Sequence, residues 1–372
     1  PLGTISISGV NLVSRWTRHL EDGASIFLQA YYDRTERTNP PTFEDTLDIV
    51  DVQFQHSLAQ TGRHALDWGA QYRYGVDRVA NSPYVAFLPA KENQTWASLF
   101  AQDVMTLRED LRLTFGARVE RNDYTDYEFL PSARLAWAPA SDHLLWTAAS
   151  RAVRSPSRLD HDTFVPGVPP YLLAGGPDVR SEIATVYEVG YRGQPDPKVS
   201  YSVTVFRADY EHLRSQEIDF GAGQLFFANE MQGETRGVET WATYQATRKW
   251  RLSGGLTVLD MDLRRKAGST DPFGPSALGN DPANQWLLRS SYDVTSRHEI
   301  DLKLRRVDAL PDPRIAAYTA VDARLGWRLD NATELSLTIE NLFDRAHPEF
   351  AHLTTQGEYG RSVFMKIVWN IR

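Results

Sequence analysis

The chain alternates between apolar and polar residues over long stretches, and this period of two constrains the fold more than any other feature. In the clearest stretch, residues 111–120, the odd positions hold Leu, Phe, Ala and Val and the even positions hold Arg, Thr, Gly and Glu. Successive side chains of a β-strand point to opposite faces, so this pattern predicts a strand with one apolar and one polar face. The alternation recurs over residues 300–305, 323–329 and 334–339, and in Val363, Met365, Ile367, Trp369 and Ile371.

The alternating segments predict an all-β chain of about 17 strands, most of them about 10–15 residues long. Strands of soluble proteins usually have about 5–6 residues, whereas a tilted strand needs about 9–11 to cross a bilayer. The strand length therefore favours a membrane β-barrel. We place the strands near residues 11–20, 24–37, 46–59, 63–80, 93–108, 111–126, 128–140, 143–156, 181–194, 199–218, 225–246, 250–264, 284–296, 298–310, 316–330, 332–346 and 360–372.

The connections between these strands alternate in length, as in transmembrane barrels, which have short turns at one rim and longer loops at the other. Between the short turns, long loops are predicted at residues 38–45, 80–92, 157–180, 265–283 and 345–359. Trp and Tyr favour the interfaces of a membrane. We therefore expect a girdle near the short-turn rim, formed by Trp137, Trp146, Trp250, Trp286, Trp327 and Trp369.

Composition excludes several other classes of protein. The 372 residues include no Cys, which excludes disulfides, thiolate metal sites and cysteine nucleophiles. The formal net charge of −8 argues against a strongly basic nucleic-acid-binding protein. No apolar run approaches the roughly 18 residues of a transmembrane helix. The sequence also contains no propeller repeat and no hydrolase or nucleotide-binding motif that would indicate an enzyme.

Several segments resemble, in their order and spacing, the β-barrel of TonB-dependent outer-membrane receptors. They are residues 150–157 (SRAVRSPS), 178–182 (DVRSE) with 187–192 (YEVGYR), 229–239 (NEMQGETRGVE), and 340–344 (ENLFD) with 360–362 (GRS). Two features depart from the family pattern. Gly175-Gly176-Pro177-Asp178 stands where the family often has Asn-Pro, and the chain ends Ile371-Arg372 instead of in an aromatic residue.

The resemblance implies one antiparallel, up-and-down transmembrane β-barrel domain over residues 1–372, an incomplete form of a 22-stranded barrel. The family's plug domain and about five strands are not recognised in this sequence, so we expect a C-terminal fragment of a receptor. The implied function is uptake of a scarce ligand, such as a ferric siderophore or other metal chelate, across the Gram-negative outer membrane; siderophore, cobalamin, haem and oligosaccharide ligands all fit the sequence. The implied partners are outer-membrane lipid and, in the full-length receptor, a plug domain and the TonB complex. No catalysis, cofactor or nucleic-acid partner is expected.

The candidate ligand-binding residues lie in predicted loops or at strand ends. His161 belongs to Asp160-His161-Asp162, for which a metal or haem contact and a solvated charged loop are the two interpretations. Loop aromatics that can stack on a ligand, and two arginines of the first family-like segment, complete the set: Phe164, Tyr171, Phe273, Phe350, Tyr359, Arg151 and Arg154. Basic residues on the polar strand faces, such as Arg118 and Arg324, are expected to pair with carboxylates across strands.

Two other interpretations stay open from the sequence. A plugless passive pore of the outer membrane would need a closed sheet with an even number of strands from these residues alone. A soluble β-rich domain that binds or hydrolyses carbohydrate would need to bury the apolar faces of its strands.

Overall fold

The structure is a computed structural model that describes residues 3–350 and 357–370, and most of this part of the chain is β-sheet. Its main sheet has 20 strands, of which seventeen are long and three have only two or three residues. The long strands are β1 (Ser6–His19), β2 (Ser25–Asn39), β3 (Phe43–Ser57), β4 (His64–Ala80), β6 (Lys91–Arg108), β7 (Leu111–Asn122), β8 (Asp126–Ala140), β9 (His143–Arg154), β12 (Glu182–Asp196), β13 (Val199–Asp219), β14 (Gln224–Thr247), β15 (Trp250–Arg265), β16 (Asn284–Asp293), β17 (His298–Val307), β18 (Tyr318–Arg328), β19 (Thr333–Glu340) and β22 (Ser362–Trp369).

The remaining elements are short and lie in the loops. The short strands are β5 (Ala86–Phe87), β10 (Thr163–Val165), β11 (Leu173–Ala174), β20 (Ala346–His347) and β21 (Tyr359–Gly360). One helical turn, α1 (Arg158–Asp162), follows β9, and a 3-10 helix spans Gly274–Ala277. In the described part of the chain, neither helix is long or apolar enough to span a membrane.

Each long strand pairs antiparallel with the next long strand along the chain, from β1 with β2 to β19 with β22. The β1–β2 register runs unbroken from Ser6 opposite Thr38 to His19 opposite Ser25. The predicted all-β, up-and-down meander of about 17 strands is therefore confirmed. Ile371, which the sequence places on the apolar face of the last strand, lies outside the described residues.

The connections form the two rims that the sequence predicts, with one error. The long loops at residues 81–90, 155–181 and 266–283, and the described residues 341–350 and 357–361, all lie at one rim, which we call the long-loop rim; the opposite one is the short-turn rim. The predicted long loop 38–45 is wrong, because β2 and β3 continue to the Asn39–Phe43 pair and leave only residues 40–42 as a turn. The two prolines there occupy turn positions, where no ladder N–H is required.

The tryptophans of the predicted girdle divide between the two rims. Trp137, Trp250, Trp327 and Trp369 lie near the short-turn ends of their strands and are 39–69% exposed. Trp286 was placed wrongly, because β16 begins at the long-loop rim and Trp286 is its third residue. Trp146 lies on the polar face, where the Arg134 guanidinium carbon is 4.8 Å from its ring centroid. Gly190 faces this ring across the strand pair, and no Cβ fits there.

The two faces of the sheet differ in polarity. On the apolar face, Leu99 is 64% exposed, Val189 60% and Leu302 47%. Exposed apolar surface of this extent is typical of a surface that meets lipid or another protein. On the polar face, Arg324 of β18 pairs with Asp301 of β17 at 2.9 Å, as predicted, whereas Arg118 pairs with Glu120 of its own strand at 3.4 Å.

The sheet has two open edges within the described residues. There, β1 pairs only with β2, and β22 pairs only with β19. Both edge strands run toward the short-turn rim, because the number of long strands is odd and every pair of them is antiparallel. Open edges leave backbone N–H and C=O groups without partners, which is costly in lipid.

Short strands connect three loops across the long-loop rim. β10 pairs with β5 on one side and with β11 on the other. β11 in turn pairs in parallel with the start of β14, with Leu173 opposite Leu225. A ladder that we call the cross-rim ladder (β5, β10, β11 and the start of β14) therefore joins the loops at residues 81–90 and 155–181 to the β13–β14 hairpin.

Candidate functional site

A cavity of about 540 Å³ opens on the polar face just below the long-loop rim. Its wall comes from β12 to β15 and from the end of β9, and residues of the 266–283 loop lie over it. One side is apolar or aromatic and the other is charged. The lining residues are Arg154, Glu182, Phe206, Tyr210, Leu213, Arg214, Thr235, Leu259, Met261, Leu263, Leu278 and Asp281.

Arg154 forms the centre of the charged side. It donates to both carboxylate oxygens of Glu182, from Nε at 2.7 Å and from Nη2 at 2.9 Å. The two residues are directly opposite in the β9–β12 register, so period two places both side chains on the polar face. Arg154 remains 48% exposed, so its guanidinium can contact a ligand in the cavity.

Asp160 is the buried partner of this cluster. Its side chain is fully buried and accepts hydrogen bonds from Arg154 Nη1 at 3.3 Å and Arg214 Nη1 at 3.0 Å. Ser157, the residue that precedes α1, donates to the same carboxylate from its backbone N and its Oγ, both at 2.9 Å. Two arginines and the carboxylates of Asp160 and Glu182 thus form a cluster of balanced charge.

The ionisation of Asp160 follows from these contacts. Burial alone opposes the charged carboxylate, but the hydrogen bonds from Ser157 and Arg214 outweigh it and lower the pKa of Asp160 below its usual range. The carboxylate therefore stays ionised at neutral pH and holds both guanidinium groups near the cavity. The sequence analysis did not identify Arg214 as a site residue. It follows the irregular residues of β13 near His212, where the alternation of residues does not predict which face a side chain occupies.

His161 lies beside the cluster and contacts an aromatic ring and a backbone carbonyl. Its ring stacks on Tyr124, with centroids 4.5 Å apart, and its Nε2 lies 3.2 Å from the carbonyl oxygen of Val179. Burial and the nearby Asp162 raise the pKa of Tyr124, so its hydroxyl stays protonated. Among residues 3–350 and 357–370 no group of three or more His, Asp or Glu side chains is placed to hold a metal ion.

The other predicted residues are only partly brought together. Phe164 and Tyr171 pack on each other in the 155–181 loop, with ring centroids 4.8 Å apart. Phe350 and Tyr359 contact each other edge to face at 6.4 Å in the last loop. Phe273 is 51% exposed in the 266–283 loop, near the cavity residue Leu278 in sequence.

Arg151 lies outside the cavity lining. It donates to the carbonyl oxygen of Phe129 at 2.6 Å and lies 3.5 Å from a Glu128 carboxylate oxygen. In the β9–β12 register it is opposite Thr185. Arg151 lies three positions before Arg154, so the alternation of faces directs these two side chains to opposite faces of the sheet. Arg151 thus secures β8 against β9, and Arg154 alone of the two predicted arginines reaches the cavity.

The loops over the cavity are held by side chains that the sequence did not reveal. Arg158 is 5% exposed and donates to Asp162 from Nε and to Asp77 from Nη1, both at 3.0 Å. Glu217 accepts from Ser269 Oγ and Thr270 Oγ1, both at 2.8 Å, which fixes the 266–283 loop to β13. Apart from Asp162, which is four positions from Arg158, these partners are 52 to 81 positions away and leave no local pattern.

The glycines that depart from the family pattern have a packing reason. A Cβ on Gly175 would overlap the carbonyl of His161, and one on Gly176 would overlap the carbonyl of Phe227. Gly176 N also donates to the carbonyl oxygen of Asp160 at 2.9 Å. The two glycines let the 155–181 loop pass closely between α1 and β14.

Comparison with known proteins shows similarity to one family over most of the chain. A family model described as TonB dependent receptor-like, beta-barrel, matches residues 4–342. An iron-regulated outer membrane virulence protein of Vibrio cholerae serotype O1 is 23% identical over 347 residues, which are 86% of this chain and 50% of that protein. A probable TonB-dependent siderophore receptor, PiuA, of Acinetobacter baumannii is 24% identical over 203 residues, 50% of this chain and 26% of that protein.

Solved structures share the fold. The FrpB iron transporter of Neisseria meningitidis superposes with a TM-score of 0.80 at 14% identity, over 97% of this chain and 62% of that one. The siderophore receptor PirA of Acinetobacter baumannii superposes with a TM-score of 0.77 at 13% identity, over 98% of this chain and 62% of that one. The chain spans about half the length of the Vibrio cholerae relative that it matches.

Proposed function

The chain belongs to the TonB-dependent receptor family through its β-barrel domain, and we propose that it forms most of the barrel of a receptor that takes up an anionic ferric chelate. It is an outer-membrane β-barrel protein of the Gram-negative type, so its apolar face meets lipid and its polar face lines the lumen. Its relatives are receptors and transporters, and the fold is theirs and not that of an enzyme.

The cavity under the long-loop rim is the observation that carries this proposal. Arg154 and Arg214 present guanidinium N–H donors in the same lining as the rings of Phe206 and Tyr210, while Asp160 and Glu182 balance their charge. Guanidinium groups form charge-assisted hydrogen bonds with anionic oxygens and stack on aromatic planes. A ferric siderophore with catecholate groups presents both kinds of surface, because it combines anionic oxygens with aromatic rings. A volume of about 540 Å³ suits a molecule of this size.

The chain is proposed to act together with parts of a longer receptor. It spans about half of the Vibrio cholerae relative, and β1 and β22 present open edges in the described residues. Because both edge strands run toward the same rim, an antiparallel barrel closes only if an odd number of further strands lies between them. The five further strands that we expect meet this condition. A plug domain inside the lumen and its movement by the TonB complex would then open the path for the chelate.

Binding of a defined chelate to the full-length receptor in detergent tests the proposal. The probe is Fe(III) with 2,3-dihydroxybenzoate, titrated while intrinsic Trp fluorescence is followed, and an uncharged ferric hydroxamate is the comparison ligand. We expect the anionic catecholate to bind more tightly. R214A should weaken it roughly ten- to a hundredfold, since it removes one charged hydrogen-bond donor.

The matched control is R264A, which removes an arginine that is 60% exposed and lies outside the cavity lining. It should bind the catecholate as the unchanged receptor does. Equal affinity for both chelates, or equal losses in R214A and R264A, would contradict the proposal. In that case single-channel conductance of the receptor in planar bilayers would distinguish a passive pore from a gated receptor.

A further inference from the structure

A long groove of about 1000 Å³ runs over the apolar face across β13 to β18. It lies on the side opposite the ligand cavity, so the uptake function does not account for it. Its exposed walls are aromatic and aliphatic side chains. They include Tyr201, Tyr244, Leu256, Trp286, Leu288 and Leu302.

Small residues at the centre of the sheet create the hollow. Ala242 lies directly opposite Gly254 on the neighbouring strand, and Gly254 lies opposite Leu288. A Cβ on Gly254 would come within 2.8 Å of Leu288 Cδ2, so the absence of a side chain lets Leu288 lean into this position. Trp286 borders the hollow toward the long-loop rim and Tyr244 toward the short-turn rim.

The groove reaches close to the short-turn rim. Tyr201 is the third residue of β13, and Tyr244 is the fourth residue from the end of β14. At roughly 3.3 Å per residue, the lower end of the groove is about 10 Å from the turns below it. In a barrel of this family the short turns face the periplasm, so the groove opens toward the periplasmic leaflet.

The β14–β15 turn below the groove carries positive charge, and the β12–β13 turn adds Lys198, beside which the exposed Asp196 lies. Lys198 lies in the β12–β13 turn, and Arg248 and Lys249 form the β14–β15 turn. All three side chains are exposed, and none forms an ion pair with another residue in the described part of the chain. Next to them, the hydroxyl groups of Tyr191 and Tyr201 lie 3.3 Å apart.

We propose that this groove binds an anionic phospholipid of the periplasmic leaflet, with its acyl chains in the hollow and its phosphate on Lys198, Arg248 and Lys249. Inside the hydrocarbon layer an apolar hollow stays free of water. A flexible acyl chain packs into it with more contacts than it makes on a flat protein surface. Each cation near the membrane surface adds a preference of roughly fivefold for an anionic headgroup. The hollow thus holds the chains, and the turn charges select the headgroup.

Quantitative mass spectrometry of lipids that remain on the full-length receptor after detergent purification tests this inference. A242W fills the hollow, and A117W places the same side chain on the same face of β7, away from the groove, as its control. R248E/K249E reverses the turn charge, and R18E/R63E reverses two exposed charges at the same rim, one in β1 and one just before β4.

We expect A242W to reduce retained phospholipid about tenfold, since the indole occupies the space of the acyl chains and removes their packing contacts, and A117W to retain it. R248E/K249E should lose phosphatidylglycerol and cardiolipin selectively over phosphatidylethanolamine, whereas R18E/R63E should not. Retention that is equal in all four variants overturns the inference. Cross-linking of two receptors through cysteines placed at Leu256 would also overturn it, since a second copy would then occupy the groove.

Discussion

Arg158 donates to Asp77 across 81 positions of sequence, with Nη1 3.0 Å from the carboxylate oxygen. This contact joins the one helical turn of the 155–181 loop to the end of β4. The same guanidinium packs 5.4 Å from the centre of the Phe87 ring in β5 and donates to the carbonyl oxygen of Pro89. One buried side chain therefore secures two long loops to each other above the lumen.

R158A should release the 155–181 loop. The substitution leaves Asp77 and Asp162 without their cation, and one oxygen of Asp77 already has no hydrogen-bond partner in the described residues. Breaking such a buried pair usually costs about 3–5 kcal/mol. We expect much faster proteolysis within residues 155–181 in limited digestion of the detergent-solubilised receptor.

R236A is the control for this measurement, because Arg236 is 66% exposed and pairs with Asp260 on a strand surface. Its digestion rate should match that of the unchanged receptor. An R158A loop as resistant as the unchanged loop would show that backbone pairing through β10 and β11 holds it without Arg158.

The helical turn α1 should lose protection in acid. The pKa of Asp160 is depressed in the folded state, so its stabilising contribution is complete above the unfolded value of about 3.9 and is lost as pH falls below it, through the folded value. The protection factors of the amides at residues 157–162, each taken relative to the intrinsic exchange rate at the same pH, should be constant from pH 6 downward and fall only in the acidic part of the range to pH 3.

D160N should abolish that pH dependence by giving low protection at all pH values, whereas D262N, which alters a carboxylate that is 68% exposed, should leave the profile unchanged. A loss of protection in acid that persists in D160N would assign the effect to another carboxylate of the cluster, such as Glu182.

Glu217 should control the order of the 266–283 loop. Its carboxylate accepts hydrogen bonds from Ser269 and Thr270 and is 5% exposed. E217Q keeps the shape of the side chain but replaces one acceptor with a donor, at a cost of about 1–3 kcal/mol. A nitroxide label at Ser276 should become more mobile by electron paramagnetic resonance. E211Q, on the same strand, is the matched control, and equal spectra for both variants would contradict the role of Glu217.

The facing of β7 can be tested with one pair of arginine substitutions. Phe115 lies on the apolar face and is 45% exposed, while Thr114 lies on the polar face. F115R places a charge in lipid, which costs about 2–4 kcal/mol near the bilayer centre, whereas T114R places it in the lumen. The folded fraction, measured by heat-modifiable migration on gels, should fall in F115R only. Equal losses would mean that the two faces are assigned wrongly.

Most of the sheet was predictable because apolar and polar side chains alternate along each strand, and this alternation is visible in a short stretch of sequence. Period two identifies residues 111–120 as a strand without knowledge of any distant residue, and the same holds for β17 to β19. Trp286 was misplaced because a ring near a strand end does not reveal which rim that end belongs to. The turn at residues 40–42 was missed because two adjacent prolines suggest a loop even when the strands continue to either side.

The candidate site was less predictable because it depends on contacts between distant segments. Arg154 was selected for its motif, and its partners Asp160 and Glu182 follow from local capping and strand register. Arg214 lies beyond an irregular register in β13, and Arg158 finds Asp77 only after two loops meet. Neither contact has a spacing that a single sequence can display.

The cross-rim ladder makes the long-loop rim cooperative. Because β5, β10, β11 and the start of β14 share one set of backbone hydrogen bonds, no single loop among them can swing outward without breaking bonds to the next. The loops that the ladder joins should therefore exchange between two conformations, one in which all of them are closed and one in which all of them are displaced. Distance distributions between residues of the 81–90 and 220–223 connections would then show two discrete populations in place of a continuous spread.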